Sequence, residues 1–251
     1  MDRSIRHSKN GYTLIEVLLV VIILSILSTV ALKSLSKVNE TARIEQTRQT
    51  MDRLAIAITG DPSVIADGQR ASFGYVGDIG ALPPNLDALV INPGSYSTWK
   101  GPYIHDQFTS GGASSAFKQD GWGNPIICFG SVSLSSSGGG VNLTRQIARS
   151  AAELMLNRIN VVVTDWDRTP PGPTYRDSLR CILTHPNGSG GMANRKKYPD
   201  RGGLVQFDSV PIGLHDLYVV FTPTADTLHR KIAVEPGTSP YVEMPLYRDS
   251  W

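Results

Sequence analysis

Cysteine is nearly absent: 2 of the 251 residues, Cys128 and Cys181, too few for a disulfide framework and without the spacing of metal ligands. No sign of charge dominates either, with 24 Lys and Arg against 22 Asp and Glu, so there is no bulk electrostatic case for nucleic acid. Catalytic signatures are missing too. The chain holds no His-Glu-x-x-His, no Gly-x-Ser-x-Gly, no Walker loop and no dinucleotide fingerprint. These absences describe a chain that is not an enzyme, with no catalytic residues, no metal and no cofactor. A composition that is 41% hydrophobic, with 24 Gly and 16 Pro lacking a collagen period, allows one to two globular domains.

What is present is an uneven distribution of apolar residues. Val17 to Leu32 runs sixteen residues without a charge, and Tyr12 to Leu32 is a 21-residue span broken by Glu16 alone. About 20 apolar residues cross a bilayer core. Ahead of the run stand Arg3, Arg6 and Lys9 against Asp2, a balance of +2 that equals the net charge of the whole chain. By the positive-inside rule this flank stays cytoplasmic and the C-terminal mass lies outside. Three readings fit the segment: a cleaved secretory signal with Thr29-Val30-Ala31 as its site, a plain anchor, and a helix that is both anchor and assembly surface. Glu16, an acid at the mouth of an apolar run, needs a partner that the two plain readings do not supply.

The helical period continues through Leu35, Val38 and Ala42 to Met51, Leu54, Ala55 and Ile58, and Gly60-Asp61-Pro62 stops it. About 47 residues at about 1.5 Å each give a helix on the order of 70 Å. Beyond Gly60 the chain reads as Gly- and Pro-rich loops, among them Thr109 to Ser115, with Ser135 to Gly140 as a flexible connector. A helix is expected from Leu143 to Asn157. Strands are expected at Ile126 to Phe129, Ile159 to Thr164, Leu179 to Thr184, Leu204 to Asp208, His215 to Phe221, Arg230 to Glu235 and Tyr241 to Leu246. The fold class is α+β: leader 1–11, transmembrane and spine helix 12–60, a small antiparallel-sheet domain 61–157, and an all-β sandwich 158–251.

Gly11-Tyr12-Thr13-Leu14-Ile15-Glu16-Val17 closely resembles the type III signal of type IV pilins and type II secretion pseudopilins, with Tyr12 in place of the usual Phe. The resemblance implies cleavage by a prepilin peptidase between Gly11 and Tyr12, N-methylation of Tyr12, and assembly through Glu16. Gly11 has no Cβ and lets an extended chain lie close in a peptidase site. Glu16 can pair with the α-amino group of Tyr12 on the next subunit, two charges offsetting each other's desolvation. The implied partners are other pilin or pseudopilin subunits, the peptidase, an inner-membrane assembly platform and the lipid bilayer. The implied location is the bacterial inner membrane, then a periplasmic or surface filament. The alternative is an anchored extracytoplasmic binding module that does not polymerise.

Gly80 to Val90, Trp99-Lys100-Gly101-Pro102-Tyr103-Ile104 and Asp120-Gly121-Trp122-Gly123-Asn124-Pro125-Ile126 look like the ordered blocks of a major-pseudopilin domain, with Trp122 as a core anchor and no catalytic role. Relatives of that kind carry a calcium loop; Ser131 to Gly140 has no carboxylate, so calcium is not carried over. Gly203 to Val219 is similar to carboxypeptidase-regulatory-like and transthyretin-like sandwiches, with Val210-Pro211-Ile212-Gly213 as the turn. Such a sandwich reads as a surplus module for binding or spacing that assembly does not require.

The remaining polar residues read as solvated: His185 and His215 beside turns, the Asp165-Trp166-Asp167 loop, and the basic cluster Arg195-Lys196-Lys197 in a Gly-rich loop, too small for nucleic acid. Cys128 and Cys181, each flanked by apolar residues, are expected as buried free thiols, with a bridge as the alternative.

Overall fold

From Leu14 to Thr59 the sequence holds neither Gly nor Pro, and the computed structural model, which describes residues 12–105, 116–128, 132–247 and 251, forms one uninterrupted helix there, α1 (Leu14–Thr59). Gly60 ends it: its N–H donates to Ile56 O at 2.7 Å with φ at 81°. A Cβ at Gly60 would stand 2.3 Å from Ser72 O, so glycine is required by conformation and by space. The chain divides into two compact units, Met1–Glu45 and Gln46–Trp251. In the first, the described residues are the start of α1. The leader with Gly11, the Thr109–Ser115 loop and Phe129 lie outside the described residues.

The second unit begins where α1 acquires a buried face. Thr47, Met51, Leu54, Ala55 and Ile58 are buried, at the spacing of one helical stripe. A short hairpin follows, β1 (Ile65–Ala66) with β2 (Gln69–Arg70), then α2 (Gly74–Ile79) and a 3-10 turn at Leu86–Leu89 whose Asn85 cap accepts from Ala88 N at 3.1 Å. Asp120 anchors the next loop: its Oδ1 accepts from Trp122 N and Asn124 N, and its Oδ2 accepts from Ser136 Oγ at 2.6 Å. Trp122 lies half-buried against Gly138 and Gly139 rather than inside a core.

Three local expectations are corrected here. Ser135 to Gly140 is no flexible connector, because β3 (Ser133–Ser136) and a 3-10 turn (Gly138–Gly140) wrap the Asp120 loop. No strand runs from Ile126: Ile127 makes an isolated bridge to Ser135, with bonds of 2.9 and 3.0 Å. The helix at Leu143 to Asn157 is replaced by β4 (Leu143–Gln146), paired antiparallel with β3, and the short α3 (Ala151–Met155). Ser150 caps α3, accepting from Glu153 N at 3.3 Å, and a Ser cap sets a start that the apolar period had placed earlier.

The sandwich comprises β5 (Asn157–Thr164), then α4 (Gly172–Tyr175), β6 (Leu179–Pro186), β7 (Met192–Lys197), β8 (Leu204–Val210), β9 (Gly213–Phe221), β10 (Asp226–Val234) and β11 (Tyr241–Pro245). One sheet has the order β10-β9-β6-β7, all antiparallel; the other is β11-β5-β8, with β11 parallel to β5. Alternating side chains such as Ile159, Val161, Leu183, Phe207, Leu217 and Val219 face the space between the sheets and are buried. Each contributes about 1.5–3 kcal/mol relative to exposure.

Residues 158–251 are bonded to the segments that follow α1 within the second unit. Gly188 N donates to Ile79 O at 2.8 Å, Ser97 N to Gly190 O at 2.9 Å, Ile212 N to Leu154 O at 2.8 Å, and Ala233 N to the Gln69 side chain at 3.1 Å. Four backbone donors committed across one seam make the sandwich part of a continuous hydrogen-bonded body.

Candidate assembly helix

Thr13 stands just before α1, and its hydroxyl accepts the Glu16 backbone N–H at 3.4 Å. Thr13-Leu14-Ile15-Glu16 therefore has the Thr-x-x-Glu pattern of a helix start, and Glu16 sits in the first turn, where a carboxylate meets the positive end of the helix dipole. Thr13 was legible as this cap from its spacing to Glu16, although reading the motif only for its cleavage site passes over it. Tyr12 is 82% exposed. Among the described residues nothing is bonded to the Glu16 carboxylate.

The wall of the helix is unusual in its uniformity. Every large apolar side chain from Val17 to Leu32 is 48–68% exposed, on all faces. The helix is long and apolar enough to cross a membrane, and none of its most apolar stretch is buried. Two of the three hydroxyls inside that stretch bond back onto the helix: Ser25 Oγ donates to Val21 O at 2.7 Å and Thr29 Oγ1 to Ser25 O at 2.9 Å. The Ser25 and Thr29 hydroxyls are thereby satisfied without water, as an apolar surrounding requires.

The other residues considered from sequence do not gather into a site. The basic cluster lies on β7 rather than in a loop, and two of its members close the open corner of the sandwich: Arg195 Nη1 donates to Asp208 O, and Lys197 Nζ to Gln206 O at 2.5 Å. Lys196 stands over the Tyr198 ring at 5.2 Å. At the opposite corner Arg230 Nη1 donates to Glu243 O at 3.2 Å. Carbonyls of edge strands are thus taken up by cations of the facing sheet.

Asp165 is buried rather than solvated; its two oxygens accept from Thr169 N and Thr169 Oγ1, each at 2.8 Å, while Trp166 stays 67% exposed. Burial pushes the Asp165 carboxyl up, opposed by the Thr169 bonds. His185 and His215 are also buried, against the expectation of solvated rings. Both cysteines are free and buried, and burial pushes the Cys181 thiol up to about 12. Among the described residues no group of three or more metal-ligating side chains occurs.

The family described as the prokaryotic N-terminal methylation motif matches residues 6–32. No curated protein matches the sequence. Among solved structures, the Bacillus anthracis TIE protein is similar at 12% identity and a TM-score of 0.30, over 45% of this chain and 22% of that one. BcpA, the major pilin subunit of Bacillus cereus, is similar at 12% identity and a TM-score of 0.24, over 45% of this chain and 36% of that one. Both similarities span well under two thirds of those proteins, and the assignment does not rest on them. It rests on the motif and the exposed apolar helix behind it: over residues 6–32 the chain carries the prokaryotic N-terminal methylation motif, the type IV pilin prepilin signal.

Proposed function

We propose that this protein is a minor pilin or pseudopilin, a structural rather than catalytic subunit of a type IV pilus or a type II secretion-type filament. It is made with its N-terminus in the cytoplasm, cut by a prepilin peptidase between Gly11 and Tyr12, methylated on Tyr12, and passed by an inner-membrane platform into the filament. One observation supports this most: an uncharged helix wall with no buried side begins one residue after Glu16, an acid whose carboxylate is unbonded among the described residues. Lipid can cover such a wall, and so can other helices of the same kind. Lipid leaves the acid unpaired, whereas a neighbouring subunit brings an α-amino group to it. The mature N-terminus tests the reading. Mass spectrometry is expected to find a chain beginning at methylated Tyr12; retention of Met1, or cleavage near Ala31, would overturn it in favour of an anchor or a secreted module.

A further inference from the structure

Two buried imidazoles meet where α2 packs on the sheet of β6 and β9. His185 is 8% exposed and His215 1%, with ring centroids 6.1 Å apart and planes at 76°. Each ring has one partner: His185 Nδ1 lies 2.8 Å from Pro186 O, and His215 Nε2 lies 2.7 Å from Pro211 O. A carbonyl only accepts, so these two nitrogens carry the protons. The other two, His185 Nε2 and His215 Nδ1, are buried lone pairs with no donor. Both rings are therefore neutral in the closed structure, with their tautomers assigned by the carbonyls.

The same place is a joint in the backbone. Gly188 N donates to Ile79 O at 2.8 Å. Gly213, with φ at 154°, is pressed between the His215 ring and α2: a Cβ there would lie 2.8 Å from His215 Cε1 and 3.1 Å from Gly77 O. A proton added to either lone pair would find no acceptor among the described residues, and a second charge would face it across the pair. The charged groups nearby do not relieve this. Arg195 on β7 disfavours a charge on His185, Asp216 on β9 mildly favours one on His215, and Asp78 on α2 is occupied by Lys100 Nζ at 2.8 Å and the Tyr103 hydroxyl at 2.9 Å.

We propose that the His185–His215 pair makes this seam an acid-releasable joint, in which protonation of the imidazoles parts α2 from the sheet while the core between the two sheets stays closed. That core holds no titratable side chain except Cys181, so acid has no purchase on it. Desolvation is the main cause that lowers both rings, His215 from 6.5 to about 4. A lowered histidine leaves the closed state fully stable above the free value, and stability is lost as pH falls from about 6.5 to about 4. Over that window His215 alone shifts the closed-to-open ratio by roughly 300-fold, and His185 adds in the same direction.

Hydrogen exchange on the full chain in detergent micelles, corrected for the intrinsic rate, reads this directly. The amides of Gly188 and Ser97 are expected to lose at least ~10-fold in protection between about pH 7 and about pH 4, while those of β6 and β9 keep theirs. A His185→Gln, His215→Gln double variant, able to donate to the carbonyls but not to take charge, is expected to lose that pH dependence. Flat protection in the wild type, loss of the sheet amides together with the seam, or unchanged behaviour of the variant each overturns the proposal. Should the variant not fold, the ring Cε1 proton shifts of the native chain decide: His215 neutral through about pH 5 and His185 titrating below its free value are expected, and either ring titrating near the free value of about 6.5 in a closed seam overturns it.

Discussion

Arg70 Nη2 donates to the carbonyl of Thr59, the last residue of α1, at 2.6 Å. The same nitrogen reaches Gly60 O at 3.1 Å, Nε reaches Ser72 O at 2.8 Å, and the guanidinium stands 4.8 Å from the centre of the Phe73 ring. A helix C-terminus exposes carbonyls and a partial negative charge, and the last turn of α1 has no cation of its own. A residue from the hairpin beyond the helix supplies it.

Replacing Arg70 with Met keeps an apolar stem of similar length but strands three carbonyls. The expected loss is about 2–4 kcal/mol of unfolding free energy. Urea titration of the full chain in micelles measures it, and a midpoint equal to wild type would show that water replaces the guanidinium at no cost.

On the proposed function the peptidase acts at Gly11 and the acid acts between subunits, so Glu16→Gln or Glu16→Ala is expected to leave leader cleavage intact and to impair entry into filaments. Thr13→Ala separates the two uses of Glu16. It removes a helix cap worth about 1 kcal/mol without touching the carboxylate. If Thr13→Ala impairs assembly as severely as Glu16→Ala, helix capping accounts for the defect and intersubunit pairing does not. Gly11→Val is expected to block processing, with the uncut chain visible on a gel.

At the sandwich corners, Arg195→Ala should cost about 1–3 kcal/mol, since it bares the Asp208 carbonyl in a half-buried position. Lys196→Ala, on the exposed face, is expected within about 0.5 kcal/mol of wild type. Thermal unfolding of the pair of variants ranks them; the reverse order would mean that the cluster works through its summed charge rather than through these bonds.

Truncation after Asn157 would remove Gly188, Gly190, Ile212 and Ala233, the partners across the seam of Ile79, Ser97, Leu154 and Gln69. The expectation of a dispensable surplus changes accordingly. The shortened chain should be rapidly degraded and absent from filaments, and limited proteolysis of the purified fragment should yield no stable core from Gln46 onward. A protease-resistant fragment that still assembles would restore the view of the sandwich as an added display module.

The thiols give the simplest measurement. Two free thiols per chain are expected under denaturing, non-reducing conditions, and reaction in the native state should be slow, because both are buried and burial pushes each thiol up. A count of zero would mean a bridge and a rearranged fold.

By itself the sequence determined the features that depend on near neighbours in the chain. Sixteen uncharged residues behind Gly11 to Glu16, the Gly60 stop, and the sandwich strands other than β7 follow from local pattern, and strands such as Leu179–Pro186 fall within a few residues of their expected bounds. Only the tertiary structure decided what depends on partners far along the chain. Leu143 to Gln146 became a strand because β3 stood ready to pair with it, overriding a helical period. Ser135 to Gly140 took order from Asp120 and Trp122. His185 and His215, each beside a turn that reads as surface, are buried on β6 and β9, the strands against which α2 packs from far earlier in the chain. Burial is a property of what arrives from elsewhere, and a turn residue carries no local mark of it.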